Sequence, residues 1–217
     1  MPEVKPLNII GLQPKTATRD KGKKRVAIIL EVAKEIFALE GYHNFTLRKI
    51  ARKADLHIAS LQHYFSSKED LLRAVIDQEL TYYDQEWEKC YKKTIGNPVK
   101  RLETILQFQL DLHLDQLTSG FVFQFWALAC TNEVIHGYMS NFYEDFIEKL
   151  IDILKSACPD LPEEELRKRA LAIMSLVEGT MIFIGGGRRI LCNCEDVRGN
   201  AVAQAMKIAC FPLEPTE

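Results

Sequence analysis

The 217 residues (24.9 kDa) include 47% hydrophobic side chains, enough for a real core and too many for a disordered chain. Net charge is only −2, so the whole-chain average gives no reason to suspect nucleic acid, yet its spread is uneven: up to Lys68 there are 13 Lys and Arg against 6 Asp and Glu, and beyond it 15 against 24. A basic head on an acidic body is the distribution that phosphate binding by one end alone requires.

Residues 1–20 hold Pro2, Pro6, Gly11 and Pro14 without a sustained period and read as a flexible basic arm. Lys15, Arg19, Lys21, Lys23, Lys24 and Arg25 are suited to follow a phosphate backbone or enter a minor groove, or simply to solubilise a tail. From Lys21 onward Val26, Ile29, Leu30, Ala33 and Phe37 recur at helical spacing and Gly41 supplies a stop, which predicts a first helix with one buried stripe. Thr46 is a good N-cap for a shorter second helix with Leu47, Ile50, Ala51 and Ala54 on one face. Asp55 falls where a tight turn needs positive φ, which Asp tolerates. A short third helix turns Leu61, Tyr64 and Phe65 inward. Ser66 and Glu69 have the spacing of a capping box, opening a long fourth helix through Leu72, Val75, Ile76, Leu80, Tyr83 and Trp87.

Past Gly96 the same caps and stripes repeat with no strand-like alternation. Asn97-Pro98 pairs an N-cap with Pro at the first helical position, and that helix is expected to run to about Leu117. Gly120 precedes an aromatic helix predicted over 121–129. Thr131 or Asn132 caps the next, which carries Ile135, Tyr138, Met139, Phe142, Phe146, Ile147, Leu150, Ile153 and Leu154. Asp160 and Glu163 to Glu165 put negative charge at the start of a helix that ends at Gly185-Gly186-Gly187. A last amphipathic helix is predicted over 195–209. The fold class is all-α with about nine helices.

Cys90, Cys130, Cys158, Cys192, Cys194 and Cys210 have no framework spacing and follow no secretory segment, so they read as reduced thiols of a cytoplasmic protein. Cys192 and Cys194 form a C-x-C, but zinc sites use a longer spacing and two further ligands, so neither a metal nor a cofactor is expected. The apolar stretch from Ala170 to Ile184 is too short for a bilayer and is interrupted by Ser175, Glu178 and Gly179. No nucleophile–base spacing, H-E-x-x-H or Gly-rich phosphate loop supports catalysis, so an enzyme is not expected.

Phe37-Ala38-Leu39-Glu40-Gly41-Tyr42, Thr46-Leu47-Arg48-Lys49-Ile50-Ala51 and Leu61-Gln62-His63-Tyr64-Phe65-Ser66-Ser67-Lys68-Glu69-Asp70-Leu71-Leu72 follow one another in an order that resembles the TetR family of bacterial regulators. The resemblance spans roughly residues 25–75 and implies a helix-turn-helix head over 21–68, a larger ligand-binding and dimerisation body over 69–217, and a homodimer formed largely by the last two helices. Two departures stand out. Family members usually carry Gly followed by Val-Ser at the turn, where this chain has Asp55-Leu56-His57, and Tyr where it has Gln62. Losing the Ser weakens the third helix's N-cap and frees His57 to face DNA. Gln62 suits bidentate contact with adenine.

With Leu61 and Phe65 inward, the residues expected at double-stranded DNA are Thr46, Arg48, Lys49, His57, Ile58, Ala59, Ser60, Gln62, His63, Tyr64 and Lys68, the third helix reading bases and the basic groups meeting phosphates. In the body, Phe108, Phe125, Trp126, Tyr138, Phe142 and Met174 are candidates to line a site for a small apolar effector, or simply to fill a core. Glu178 is the sharper candidate, because a carboxylate in an apolar helix needs a partner, a ligand or the surface; His113 and His136 are possible companions. Met174, Met181, Val197, Ala201, Val202, Ala205 and Ile208 are expected at the dimer interface. The predicted function is a one-component, ligand-responsive repressor on a palindromic operator. The alternative is a DNA-binding scaffold that recruits a protein and has no inducer.

Overall fold

The computed structural model describes residues 20–187 and 194–210; the N-terminal arm and Cys192 of the C-x-C lie outside them. Among the described residues there are nine α-helices and no strand: α1 (Asp20–Asn44), α2 (Leu47–Lys53), α3 (Ile58–Tyr64), α4 (Lys68–Lys93), α5 (Pro98–Leu114), α6 (Gln116–Ala129), α7 (Glu133–Ala157), α8 (Glu163–Ile184) and α9 (Cys194–Cys210). They fall into two compact units divided within α4, one ending at Asp84 and the other beginning at Gln85.

In the first unit the stripe Ile29, Ala33, Ile36 and Phe37 of α1 is buried with Phe45, Ile50, Leu61, Phe65 and Ile76. Gly41 interrupts α1 at φ 80°, a conformation that favours glycine, and so brings Phe45 edge-on to Phe37 with ring centres 5.9 Å apart. The Thr46 side chain accepts from Lys49 N–H and caps α2, and Asp55 takes φ 53° in the turn, both as the sequence predicts. The start of α4 is a correction. Ser67, not Ser66, accepts from the backbone N–H of Asp70, while Ser66 donates to the Asp70 carboxylate, so the cap lies one residue later than the Ser66–Glu69 reading. These hydroxyls hold the Asp70 carboxyl below its ordinary range. Buried Glu79 is paired with Lys34 at 2.8 Å.

The second unit begins with the last turns of α4, where Trp87 stands edge-on to Phe146 at 4.9 Å. Asn97 caps α5 with Pro98 at its first turn. The helix expected to reach Leu117 stops at Leu114, because Asp115 accepts from Thr118 N–H and hydroxyl, both at 2.7 Å, and starts α6; Gly120 lies inside that helix. A carboxylate capping two donors outweighs a helix-weakening glycine. Asn132 caps α7 through the N–H groups of Val134 and Ile135. Leu102, Ile105 and Leu110 of α5, Leu150 and Leu154 of α7, Ile173 and Val177 of α8, and Ala201, Ala205 and Ala209 of α9 share one core. Buried Arg169 closes it, binding Glu165 and donating to the Ile208 and Ala209 carbonyls at 3.1 Å, where it satisfies the C-terminal end of α9.

Several residues expected at a dimer interface take part in this packing. Met174, Met181, Ala201 and Ala205 are buried within the chain itself. The large apolar side chains that α8 leaves exposed are Leu171, Ile182 and Phe183, at 49%, 59% and 49%. Val197, Val202 and Ile208 are partly exposed on α9.

Candidate nucleic-acid interface and body cluster

The turn between α2 and α3 determines what α3 can present. Asp55 reverses the chain, Leu56 N–H bonds back to the Ala51 carbonyl, and α3 starts at Ile58 after His57, whose side chain makes no cap hydrogen bond. Within α3 only Leu61 is buried, and Phe65 just beyond it anchors the far end. Ile58, Ala59, Ser60, Gln62 and His63 are therefore exposed, and Tyr64 is partly covered, its ring edge-on to His63 at 5.5 Å. A short helix held by one inward leucine and bare on its other faces can enter a groove without losing core contacts.

Beside it lies an open cleft of about 350 Å³ lined by Arg48, Ala51, Arg52, Asp55, Leu56, His57 and Ile58. Arg48 and Arg52 sit one turn apart on α2, so two guanidinium groups border the start of α3. Arg52 was missed by the sequence reading, although its i, i+4 spacing from Arg48 was visible there. The other predicted cations are engaged inside the head. Lys49 binds Glu40, and Lys68 stands over the Tyr42 ring, 3.7 Å from its centre. Thr46 is exposed, with its hydroxyl used as the α2 cap.

In the body, the predicted ligand-lining residues divide. Phe125 and Met174 are packed inside, Phe125 stacked on Phe121 at 5.9 Å, and so fill core. Phe108, Trp126, Tyr138, Phe142 and Glu178 remain partly exposed. The Trp126 indole donates to the Tyr143 hydroxyl oxygen at 2.7 Å, and Tyr143 hydrogen-bonds the Glu178 carboxyl. Burial pushes that carboxyl up to about 7. Tyr143 was not singled out from sequence, since an amphipathic tyrosine on a core-facing helix carries no distinguishing signal. His113 is buried with Nδ1 3.4 Å from the Thr180 hydroxyl, and burial lowers its pKa to about 4, so it is neutral. His136 is exposed and contacts Ser140, away from any buried carboxyl. Among the described residues no group of three or more His, Cys, Asp and Glu side chains is placed to hold a metal, and no helix is long and apolar enough to cross a membrane.

Comparison with known proteins agrees with this geometry. Residues 29–75 match the model for bacterial regulatory proteins, tetR family. The chain is 25% identical over 190 residues to the HTH-type transcriptional regulator in the dhlA 5' region of Xanthobacter autotrophicus, covering 83% of this chain and 90% of that one. Its fold is similar to that of a transcriptional regulator from Pseudomonas aeruginosa PAO1, with a TM-score of 0.73, 16% identity and coverage of 91% and 96%. A transcriptional regulator from Saccharomonospora viridis in complex with choline aligns with a TM-score of 0.69 at 21% identity, covering 82% of this chain and 94% of the other.

Proposed function

We propose, on the premise that the chain belongs to the TetR family and is a DNA-binding transcriptional regulator, that it acts as a homodimeric repressor whose body binds a small molecule and thereby releases a palindromic operator. The observation that carries the DNA half is the bare outer face of α3 beside the Arg48–Arg52 cleft. In this reading Gln62 takes adenine N6 and N7, exposed Ile58 meets a thymine methyl, and Arg48 and Arg52 bind phosphates flanking the α3 start. Lys49 and Lys68 add longer-range positive potential from their positions on Glu40 and Tyr42.

For the dimer, the supporting feature is the apolar surface of Leu171, Ile182 and Phe183 on α8. Two such faces related by a two-fold axis bury each other, and a two-fold protein calls for a two-fold operator. For the effector, the supporting features are the partly exposed aromatic side chains of α5 to α7 and Glu178, together with the choline complex of the Saccharomonospora regulator. Release follows if the effector binds the DNA-incompetent state better than the competent one.

The test is selection of bound sequences from random DNA, followed by affinity against salt. A near-palindrome should emerge, and each phosphate neutralised should contribute about 0.9 to the slope of log K against log salt. Phe183→Asp should give monomers that lose operator binding. Asymmetric sites, a flat salt dependence or a tight Phe183→Asp dimer each contradicts the corresponding part; operator binding that no metabolite weakens would leave a protein-recruiting scaffold in place of the effector reading.

A further inference from the structure

Three helices of the body build one hydrogen-bonded chain that ends on a carboxyl. Trp126 of α6 donates to Tyr143 of α7, and Tyr143 hydrogen-bonds Glu178 of α8. The tyrosine oxygen accepts from the indole while its hydroxyl can donate to Glu178, which links the carboxyl to the other two helices. Rings surround this chain: Phe123 is edge-on to Trp126 at 5.9 Å, and Phe142 is edge-on to Tyr143 at 5.3 Å.

These five side chains remain partly exposed, whereas Phe121, Phe125, Met174, Val177 and Met181 are buried. The cluster therefore borders open space instead of filling a core. Glu178 sits at the edge of the buried stripe of α8, one turn from Met174 and close to one turn from Met181. Among the described residues, the influences on its carboxyl are burial and the Tyr143 hydroxyl, with no cation among them. His113 supplies no charge, because its ring is held neutral on Thr180.

The chemistry of such a site selects its occupant. An anion would meet the carboxylate's repulsion, and an uncharged apolar molecule would leave a carboxyl desolvated with a single donor. A small hydrated metal ion would have to shed water for one carboxylate, where such ions ask for several oxygens. A monovalent organic cation is weakly hydrated, gains from the carboxylate at low local polarity and lies against ring faces that attract positive charge. Glu178, pushed by burial to about 7, gives up its proton readily once such a charge is beside it.

We propose that Trp126, Tyr143 and Glu178 form a binding site for an organic ammonium ion, a quaternary ammonium or a protonated amine, which names the effector class and rests on the reading of the body as the ligand-binding unit. The experiment uses the full chain and three probes with the same six-carbon tail: hexyltrimethylammonium, 1-hexanol and heptanoate, each titrated by calorimetry and then tested for release of the selected operator. The ammonium ion should bind at least about ten-fold more tightly than the alcohol, with heptanoate weakest. Glu178→Gln, which keeps the side-chain shape, should remove most of that preference, and Tyr143→Phe should reduce it less. Equal binding of ammonium ion and alcohol, or an undiminished preference in Glu178→Gln, overturns the cation site. If operator is then released by uncharged metabolites, the ligand-responsive reading survives without it. If the ammonium ion binds through Glu178 and operator stays bound, the site stands and the repressor-release reading falls.

Discussion

Head and body handle charge in opposite ways. In the head, apart from the buried Glu79 carboxylate on Lys34, most charged side chains are partly or fully exposed, and pairs such as Lys53–Glu35 at 2.8 Å lie in water, where they contribute little to stability and move easily. In the body, Arg101, Arg169 and His113 are buried and Glu178 is largely enclosed, each with a named partner: Tyr91 and Thr94, Glu165 and the α9 carbonyls, Thr180, and Tyr143. A surface that must exchange counterions for phosphates works best with charges that cost little to rearrange. The proposed effector site of the body would work through groups whose desolvation is costly, since an unmatched partner is then strongly penalised. The two units therefore should respond differently to mutation: the reading face of the head through affinity alone, the polar groups of the body through stability and pH.

The largest expected effect breaks that contrast within the head itself. Leu61 is the one buried side chain of α3, and Leu61→Ala should cost about 2–5 kcal/mol, seen as a lower urea midpoint and as lost DNA binding. A variant of unchanged stability would mean that α3 is held by something other than its inward leucine. Next is Glu178. Its folded pKa lies above the ordinary 4.5, at about 7, so folding favours the protonated form. That contribution is complete below the unfolded value and is lost as pH rises through 7. Glu178→Gln should therefore gain stability relative to the parent between pH 5 and pH 8, by up to about 2–3 kcal/mol. A difference independent of pH would remove the desolvated carboxyl from the account. Comparing variant with parent matters, because His113 acts in the other direction, its lowered pKa contributing stability that fades as pH falls from 6.5 towards 4. The smallest effect lies on the reading face: Gln62→Ala should cost about 1–3 kcal/mol at one base position, whereas Arg48→Ala should weaken all sequences alike, both at unchanged melting temperature. Equal losses on every sequence for both variants would dissolve the division between base reading and phosphate contact.

Much of this architecture follows from local chemistry. The stripe of α1, the Thr46 cap, the left-handed Asp55 and the exposed set on α3 all depend on residues within a turn or two of one another, and short-range sterics and hydrogen bonds decide them without help from distant parts of the chain. Where two local solutions compete, the same chemistry is not decisive. Ser66 and Ser67 precede Glu69 and Asp70 at the same spacing, and the structure places Ser67 as the cap with Ser66 on the Asp70 carboxylate.

What tertiary structure alone decided is the partner of each apolar or buried polar group. Periodicity marks Met174, Met181, Ala201 and Ala205 as covered, yet it is blind to which elements cover them; in the structure they are buried among the chain's own helices. Likewise the composition of α8 announces that Glu178 needs a partner, but Tyr143 lies 35 residues away in sequence and Trp126 another 17. Helix caps and stripes are set by neighbours along the chain, whereas a buried carboxyl's donor is set by which helices the whole core brings side by side, and that is a property of the folded body rather than of any segment of it.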